Sequence, residues 1–273
     1  MLDLFVEATL EDLWLLSLLT LTPFAMFTQW ILLISSFILA ASERTPERIV
    51  GGYSVPISSV PWQASLQKFG THKCGAAIYS DQILITAAHC IPRRYFGYSV
   101  RVGATNRNFG GQVARIANII AHEGYRRLPF GAINDVAVIR LKTRLQMDDT
   151  VRPIPLADST PVMGSSASVS GWGSVGYNQH ESDILLETTV AIADWNSCRY
   201  SYRHLIDITK DMICAAGPGK DSCYADSGGP LVSDGKLVGI VSFGEGCANP
   251  DYPGVYANVA EYKPWILNAI QRI

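Results

Sequence analysis

The run Asp221-Ser222-Cys223-Tyr224-Ala225-Asp226-Ser227-Gly228-Gly229-Pro230 holds the residue types that acyl transfer needs. A serine between an acid and two glycines can ride a tight turn with its hydroxyl exposed. Asp226 can anchor that turn from behind, Cys223 can staple the loop, and backbone N–H groups beside the serine can stabilise an oxyanion. Ser-Gly-Gly alone is a common turn, so the chemistry depends on what else the chain supplies. His89 closes the apolar run Ile83-Leu84-Ile85-Thr86-Ala87-Ala88, and Asp135 stands at the mouth of Val136–Leu141. Singly, His89 reads as a structural histidine and Asp135 as an Asx-type turn before a strand. Together they change that reading. A histidine can take the serine's proton, and a buried aspartate can orient the imidazole and stabilise it once charged.

The elements that must position these residues read mainly as strands. Pro61 to Gln67 alternates apolar and polar, Ala77-Ile78-Tyr79 reads as a second short strand, and Ile83–Thr86 and Val136–Leu141 read as apolar strands. Thr150 to Pro161 is polar with prolines, which suits a connector between two halves. Trp265, Ile266, Ala269, Ile270 and Ile273 have helical spacing, so Tyr262 to Ile273 is predicted to be a packing helix with Pro264 near its first turn. No internal repeat is visible.

Composition bounds the function classes. The chain has 273 residues, 48% hydrophobic and 17% charged, with 23 Gly and 14 Pro, which suits a turn-rich globular protein with a sizeable core. The first 48 residues hold six acids and two bases, leaving 20 basic and 18 acidic residues beyond Arg48. That mild balance has no basic run, so nucleic acid is not an expected partner. The six cysteines, Cys74, Cys90, Cys198, Cys214, Cys223 and Cys247, contain no C-x-x-C pair, which argues against zinc. They predict three disulfides and an oxidising compartment, with the pairing left open by spacing alone.

Leu13 to Ser42 carries no charge and is long enough to span a bilayer. A cleaved signal peptide over 1–42, with its start at Met1 or at Met26, would end in Ala40-Ala41-Ser42. A retained anchor would place Arg44 and Arg48 outside, against the usual charge bias. Residues 43–48 then form a short propeptide. Cleavage after Arg48 would free the α-amino group of Ile49, and that ammonium could insert beside Asp226, whose buried carboxylate needs a partner. Arg48-Ile49-Val50-Gly51-Gly52 also reads more simply as a strand entering a turn.

Thr86-Ala87-Ala88-His89-Cys90, the Asp135 strand, Asp226-Ser227-Gly228-Gly229-Pro230 and the Ile49 start together resemble the trypsin-like branch of the chymotrypsin family. The similarity runs from Ile49 to Ile273, and Ser170-Gly171-Trp172-Gly173 matches the family too. The resemblance implies an all-β fold of two six-stranded antiparallel barrels with a C-terminal helix, and a peptidase domain over 49–273. It implies a serine endopeptidase in which Ser227 is the nucleophile, His89 the base and then acid, and Asp135 the orienting carboxylate. The triad mechanism is taken from the family. Ala225 and Ser227 would supply the oxyanion N–H groups, and the disulfides would be Cys74–Cys90, Cys198–Cys214 and Cys223–Cys247. Asp221, Ser222, Ser242, Phe243, Gly244 and Gly254 would bind the substrate. A carboxylate at the bottom of a narrow slot favours a cationic side chain, so cleavage after Arg or Lys follows.

The expected partners are protein or peptide substrates, an activating protease or the enzyme itself, and protein inhibitors. The protein is expected to be monomeric, exported, and to need no cofactor. A non-catalytic homologue that works by protein binding, and a membrane-anchored protease, are the competing readings. The chain departs from the family in three ways. Ala225 stands where glycine is usual, and its methyl narrows the backbone choices of an oxyanion donor. Phe243 replaces a usual tryptophan. Ala104 falls where a calcium-binding glutamate would be, so neither a calcium nor another metal site is expected; Pro253 matches members without a sodium site.

Overall fold

The computed structural model describes residues 49–92 and 95–273. The expectations for 1–48, a leader or anchor and the Arg48 bond, lie outside those residues. A two-residue strand, β1 (Tyr53–Ser54), precedes the first barrel. That barrel is built from β2 (Gln63–Lys68), β3 (Thr71–Ile78), β4 (Ile83–Thr86), β5 (Tyr98–Val102), β6 (Gln112–Ala121) and, after the small hairpin β7 (Arg126–Leu128) and β8 (Gly131–Ile133), β9 (Ala137–Leu141). Its closed order is β2-β3-β4-β9-β6-β5.

The second barrel uses β10 (Ser166–Gly171), β11 (Leu186–Ile192), β12 (Met212–Ala216), β13 (Pro230–Ser233), β14 (Lys236–Phe243) and β15 (Gly254–Asn258). Its strands run β11-β10-β13-β14-β15-β12 and close through β11–β12, with β1 added on β11. Closure removes the exposed edges that an open sheet of this composition would present. The architecture is two six-stranded antiparallel barrels with a C-terminal helix, as the resemblance implied.

Residue type explains the layout. In β11 Leu186, Thr188, Val190 and Ile192 point inward and alternate with more exposed residues, the period-two pattern of a strand with one wet face. β9 pairs on both sides, Ile139 facing Leu84 of β4 and Ile119 of β6. A continuous buried cluster joins the first barrel to Leu237 and Ile240 of the second and to the C-terminal helix.

Three elements differ from expectation. The second strand begins at Thr71, not Ala77, and so carries His72 and Cys74 as well. A helix α1 runs over Trp195–Tyr202, where no element was expected, capped by Asp194, whose carboxylate accepts the Ser197 N–H at 2.8 Å. Its inward residues Cys198 and Tyr202 are one turn apart. The C-terminal helix α2 runs Val259–Arg272 and starts before Tyr262, which leaves Pro264 inside it. Proline forfeits one backbone bond there. The buried face of Val259, Tyr262, Ile266 and Ala269 holds the added turn in place. The sulfur bonds join Cys74 to Cys90, Cys198 to Cys214 and Cys223 to Cys247.

Truncating Ile139 to alanine should leave a cavity that flanking strands on both sides prevent from collapsing. A loss of about 2–5 kcal/mol in urea unfolding is expected, against no more than about 0.5 kcal/mol for Val113→Ala on the surface. Equal losses would show that β9 is not the centre of the first barrel.

Candidate active site

His89 enters the site because β4 gives way to a 3-10 turn, Ala88–Cys90, which the Cys90 disulfide ties to β3. Its backbone N–H donates to Asp135 Oδ1 at 2.8 Å, and its Nδ1 donates to Oδ2 at 2.7 Å. A carboxylate only accepts, so the ring proton lies on Nδ1 and Nε2 keeps its lone pair. The Ser242 hydroxyl donates to Asp135 Oδ2 as well. Asp135 is 3% exposed, and these donors compensate its burial. Asn134 precedes it at a φ of +55°, and its side-chain oxygen accepts from the Tyr262 hydroxyl of α2 at 3.3 Å.

The Ser227 turn is fastened to both barrels. The Ser227 carbonyl accepts the Gly75 N–H of β3 at 2.8 Å, and the Gly228 N–H donates to Val241 of β14 at 2.8 Å. Gly228 sits at a φ of +79°, and a side chain there would stand 2.2 Å from the Thr86 hydroxyl, so only glycine fits. Ser227 and His89 line one cleft without a hydrogen bond between them. In unliganded hydrolases this contact is often long and tightens on substrate. Among the described residues, neither the Ala225 N–H nor the Ser227 N–H has an internal partner. Two unpaired donors flanking a serine can receive an oxyanion.

Ala225 holds a φ of +71°, the left-handed region a glycine would occupy freely. The alanine has therefore kept the strained conformation. His72 supports it. Its Nε2 meets the Ala225 carbonyl at 2.9 Å and its Nδ1 meets the Ser65 hydroxyl at 2.8 Å. The carbonyl can only accept, so Nε2 carries the proton. Burial pushes the His72 pKa down to about 4, which keeps the ring neutral.

Asp226 is 1% exposed, and its oxygens accept from Gly173 at 2.8 Å and Cys223 at 3.0 Å. Side chains on Gly171 or Gly173 would lie 2.2 and 2.4 Å from this carboxyl group, so both positions exclude them. Burial pushes its pKa up to about 7, the two N–H donors offsetting only part of that cost. Ile49 is fully buried, and the Val50 carbonyl accepts from Asp221 N–H at 3.3 Å.

Asp221 lies with Ser222, Gly244 and Gly254 in the same cleft, which encloses about 470 Å³. The Ala248 N–H donates to its Oδ2 at 2.9 Å, while Oδ1 is buried with no partner. Burial pushes this pKa up to about 6. A side chain on Gly254 would stand 2.7 Å from Oδ1 and close the slot. Phe243 forms a wall, its ring packed at 3.0 Å from where a Gly131 side chain would begin.

The site thus brings together His89, Asp135, Ser227, Ala225, Asp221, Ser222, Ser242, Phe243, Gly244 and Gly254; Asp226 lies behind the turn, and Arg48 is outside the described residues. Sequence reasoning missed His72 and the Arg127–Ala132 wall. His72 left a signal, since it shares its strand face with Cys74. The wall left none, being a short hairpin of mixed residues with no period of its own.

The trypsin family model matches residues 49–266. Trypsin delta of Drosophila erecta is 42% identical over 250 residues, covering 88% of this chain and 98% of that protein. Trypsin alpha-4 of Lucilia cuprina is 44% identical over 228 residues, covering 83% of this chain and 89% of that protein. Among solved structures, neuropsin, a serine protease expressed in the limbic system of mouse brain, superposes with a TM-score of 0.76 at 36% identity, covering 81% of this chain and all of that one. With the barrels and the cleft described above, these likenesses place the chain in the trypsin family, as a trypsin-like serine endopeptidase of the chymotrypsin class.

Proposed function

We propose that this protein is a catalytically competent, exported endopeptidase, made as a zymogen cut after Arg48, that hydrolyses peptide bonds after Arg or Lys. The observation that carries the specificity is the buried, unpartnered Oδ1 of Asp221 at the end of the Ser227 cleft. An ammonium or guanidinium entering the slot would supply the missing partner, and a neutral side chain would leave the charge unmet.

In this reading Ser227 Oγ attacks the substrate carbonyl carbon and gives its proton to His89 Nε2. Asp135 stabilises the imidazolium, and the Ala225 and Ser227 N–H groups hold the negative oxygen. His89 returns the proton to the leaving amine, and water then hydrolyses the ester on Ser227. Residues 1–42 act as the leader and 43–48 as the propeptide. Among the described residues no helix is long and apolar enough to cross a membrane. The α-ammonium of Ile49 pairs with Asp226 after the cut; the burial of both residues supports this pairing. The unpaired Ala225 N–H favours catalysis over the binding-homologue reading, despite the strained φ.

Protein cut after Arg48 should give an active-site burst equal to its concentration on an arginine ester, and Asp221→Ser should cost roughly 10,000-fold in kcat/KM on that ester. A folded, cut protein with no burst would sink the proposal. Ala225→Gly should raise unfolding stability by about 1 kcal/mol, because the left-handed φ no longer opposes a side chain. Unchanged thermal stability would place the strain elsewhere.

Ionisation of Asp226 sets a pH dependence. Its folded pKa of about 7 exceeds the unfolded value of about 4, so its stabilising contribution is complete below about pH 4 and fades as pH rises through about 7. The uncut chain should therefore lose stability between pH 4.5 and 8. Cutting after Arg48 supplies a cation and should remove most of that loss. Thermal unfolding of cut and uncut Ser227→Ala protein at both pH values measures the difference; identical pH slopes would rule out the pairing.

A further inference from the structure

Arg107 stands on the loop between β5 and β6 of the first barrel, yet its guanidinium reaches the connection between β10 and β11 of the second. Its Nε donates to Asp183 Oδ1 at 2.9 Å, and its Nη1 donates to Glu181 Oε2. The arginine side chain is 16% exposed, against 40% for Glu181 and 59% for Asp183, so the cation is the sheltered member of the three. Its backbone is fixed from both barrels. The Arg107 carbonyl accepts from the amide of Gln67, buried in β2, at 2.7 Å, and its N–H donates to the Asp183 carbonyl at 3.0 Å. With Leu185 N–H donating to the Thr105 carbonyl at 2.8 Å, 105–107 and 183–185 form a short antiparallel ladder.

The segment that Arg107 grips is one arm of a hairpin. Ser174 pairs with Glu181 across it, and the Ser182 N–H donates to the Gly173 carbonyl at 3.2 Å. The other arm faces the Ser227 turn, where Gly173 N–H meets Asp226 and Ser174 N–H donates to the Tyr224 carbonyl at 2.8 Å. That carbonyl and the Ala225 N–H belong to one planar trans peptide, so they point in opposite directions. Holding the Tyr224 carbonyl therefore aims the Ala225 N–H.

Alanine makes this hold matter. Asp226 N–H donates to the Cys223 carbonyl at 3.0 Å and closes a four-residue turn whose third residue, Ala225, has a φ of +71°, the type II pattern. Turning the Tyr224–Ala225 peptide over gives a type I turn, in which that φ becomes negative and the strain on the methyl-bearing residue disappears. The N–H would then leave the cleft and a carbonyl would replace it. A left-handed alanine and one neutral hydrogen bond are of similar magnitude and opposite sign. The turn is thus finely balanced, and even a modest ion pair can tilt it.

We propose that Arg107 is a positioning residue for the oxyanion donor. By bracing the hairpin through Glu181 and Asp183, it keeps Ser174 on the Tyr224 carbonyl and opposes the peptide flip that Ala225 favours. The inference rests on the endopeptidase reading above.

The test uses protein cut after Arg48 and a short arginine amide. Arg107→Gln should lower kcat about fivefold and leave KM within about twofold, because an oxyanion donor acts in the transition state and not on bound substrate. Binding of an aromatic amidine, which fills the Asp221 slot alone, should not change. Glu181→Gln with Asp183→Asn should give the same loss, and adding Arg107→Gln to that pair should give no more. In an Ala225→Gly background, Arg107→Gln should cost less than about twofold, since glycine does not favour the flip. Equal losses with and without Ala225→Gly overturn the proposal, as general loosening of the fold would produce them. Weaker amidine binding in proportion to kcat also overturns it, because the slot would then have moved. In parallel, hydrogen exchange at the Ser174 amide of cut Ser227→Ala protein should quicken about fivefold with Arg107→Gln; unchanged exchange refutes the brace. If the cut protein leaves the amide substrate intact, the endopeptidase reading fails separately, and the exchange measurement still decides whether Arg107 holds the turn.

Discussion

A carboxylate at 1% exposure, Asp226, governs the geometry of everything around Ser227. It is buried because Gly171 and Gly173 present no side chains to it, and the Gly173 and Cys223 N–H groups meet its oxygens. Two neutral donors do not balance a buried negative charge. The turn that carries Ser227 therefore contains an unresolved electrostatic demand one residue before the serine. The fold sets this turn between barrels, with β3 holding one carbonyl and β14 accepting one N–H, so a change at the acid reaches the serine through only a few bonds.

Three buried acids serve this region, and their hydrogen bonding sorts their tasks. Asp135 is met by the His89 ring, the His89 backbone and Ser242, and its charge is fixed in place. Asp226 has two backbone donors and a raised pKa. Asp221 has one donor at Oδ2 and an orphan Oδ1. The more a carboxylate is satisfied by its own chain, the less it has to offer an incoming cation. The same amino acid thus meets a histidine ring, anchors a turn or keeps an oxygen without a partner, according to how many donors its surroundings leave it.

Much of this was legible because the chemistry uses residues that are costly to place. His89 ends an apolar run beside Cys90, Asp135 opens another, and Ser227 lies in a glycine turn four residues after Cys223. What was not legible depended on partners distant in sequence. His72 is an ordinary strand residue until Ala225, 153 positions away, is brought to its Nε2. The Arg127–Ala132 wall has no pattern of its own and acquires meaning only when Phe243 packs on Gly131. The helix over Trp195–Tyr202 was obscured by its low hydrophobicity, although the Asp194 cap was present to be read. Pro264 misled in the opposite direction, because tertiary burial of Val259 and Tyr262 outweighed the local preference of proline.

The position of α2 has a consequence for how the molecule is made. Its Tyr262, Ile266 and Ala269 belong to the same buried cluster as Ile85, Val138 and Ile139 of the first barrel, and Tyr262 also bonds Asn134 beside Asp135. During synthesis the first barrel leaves the ribosome long before the helix that completes its core. A nascent chain can hold His89 and Asp135 in sequence yet lack the packing that fixes them. In the proposed reading, the packing behind His89 and Asp135 can be complete only once the C-terminal helix has been made, a timing set by chain order alone.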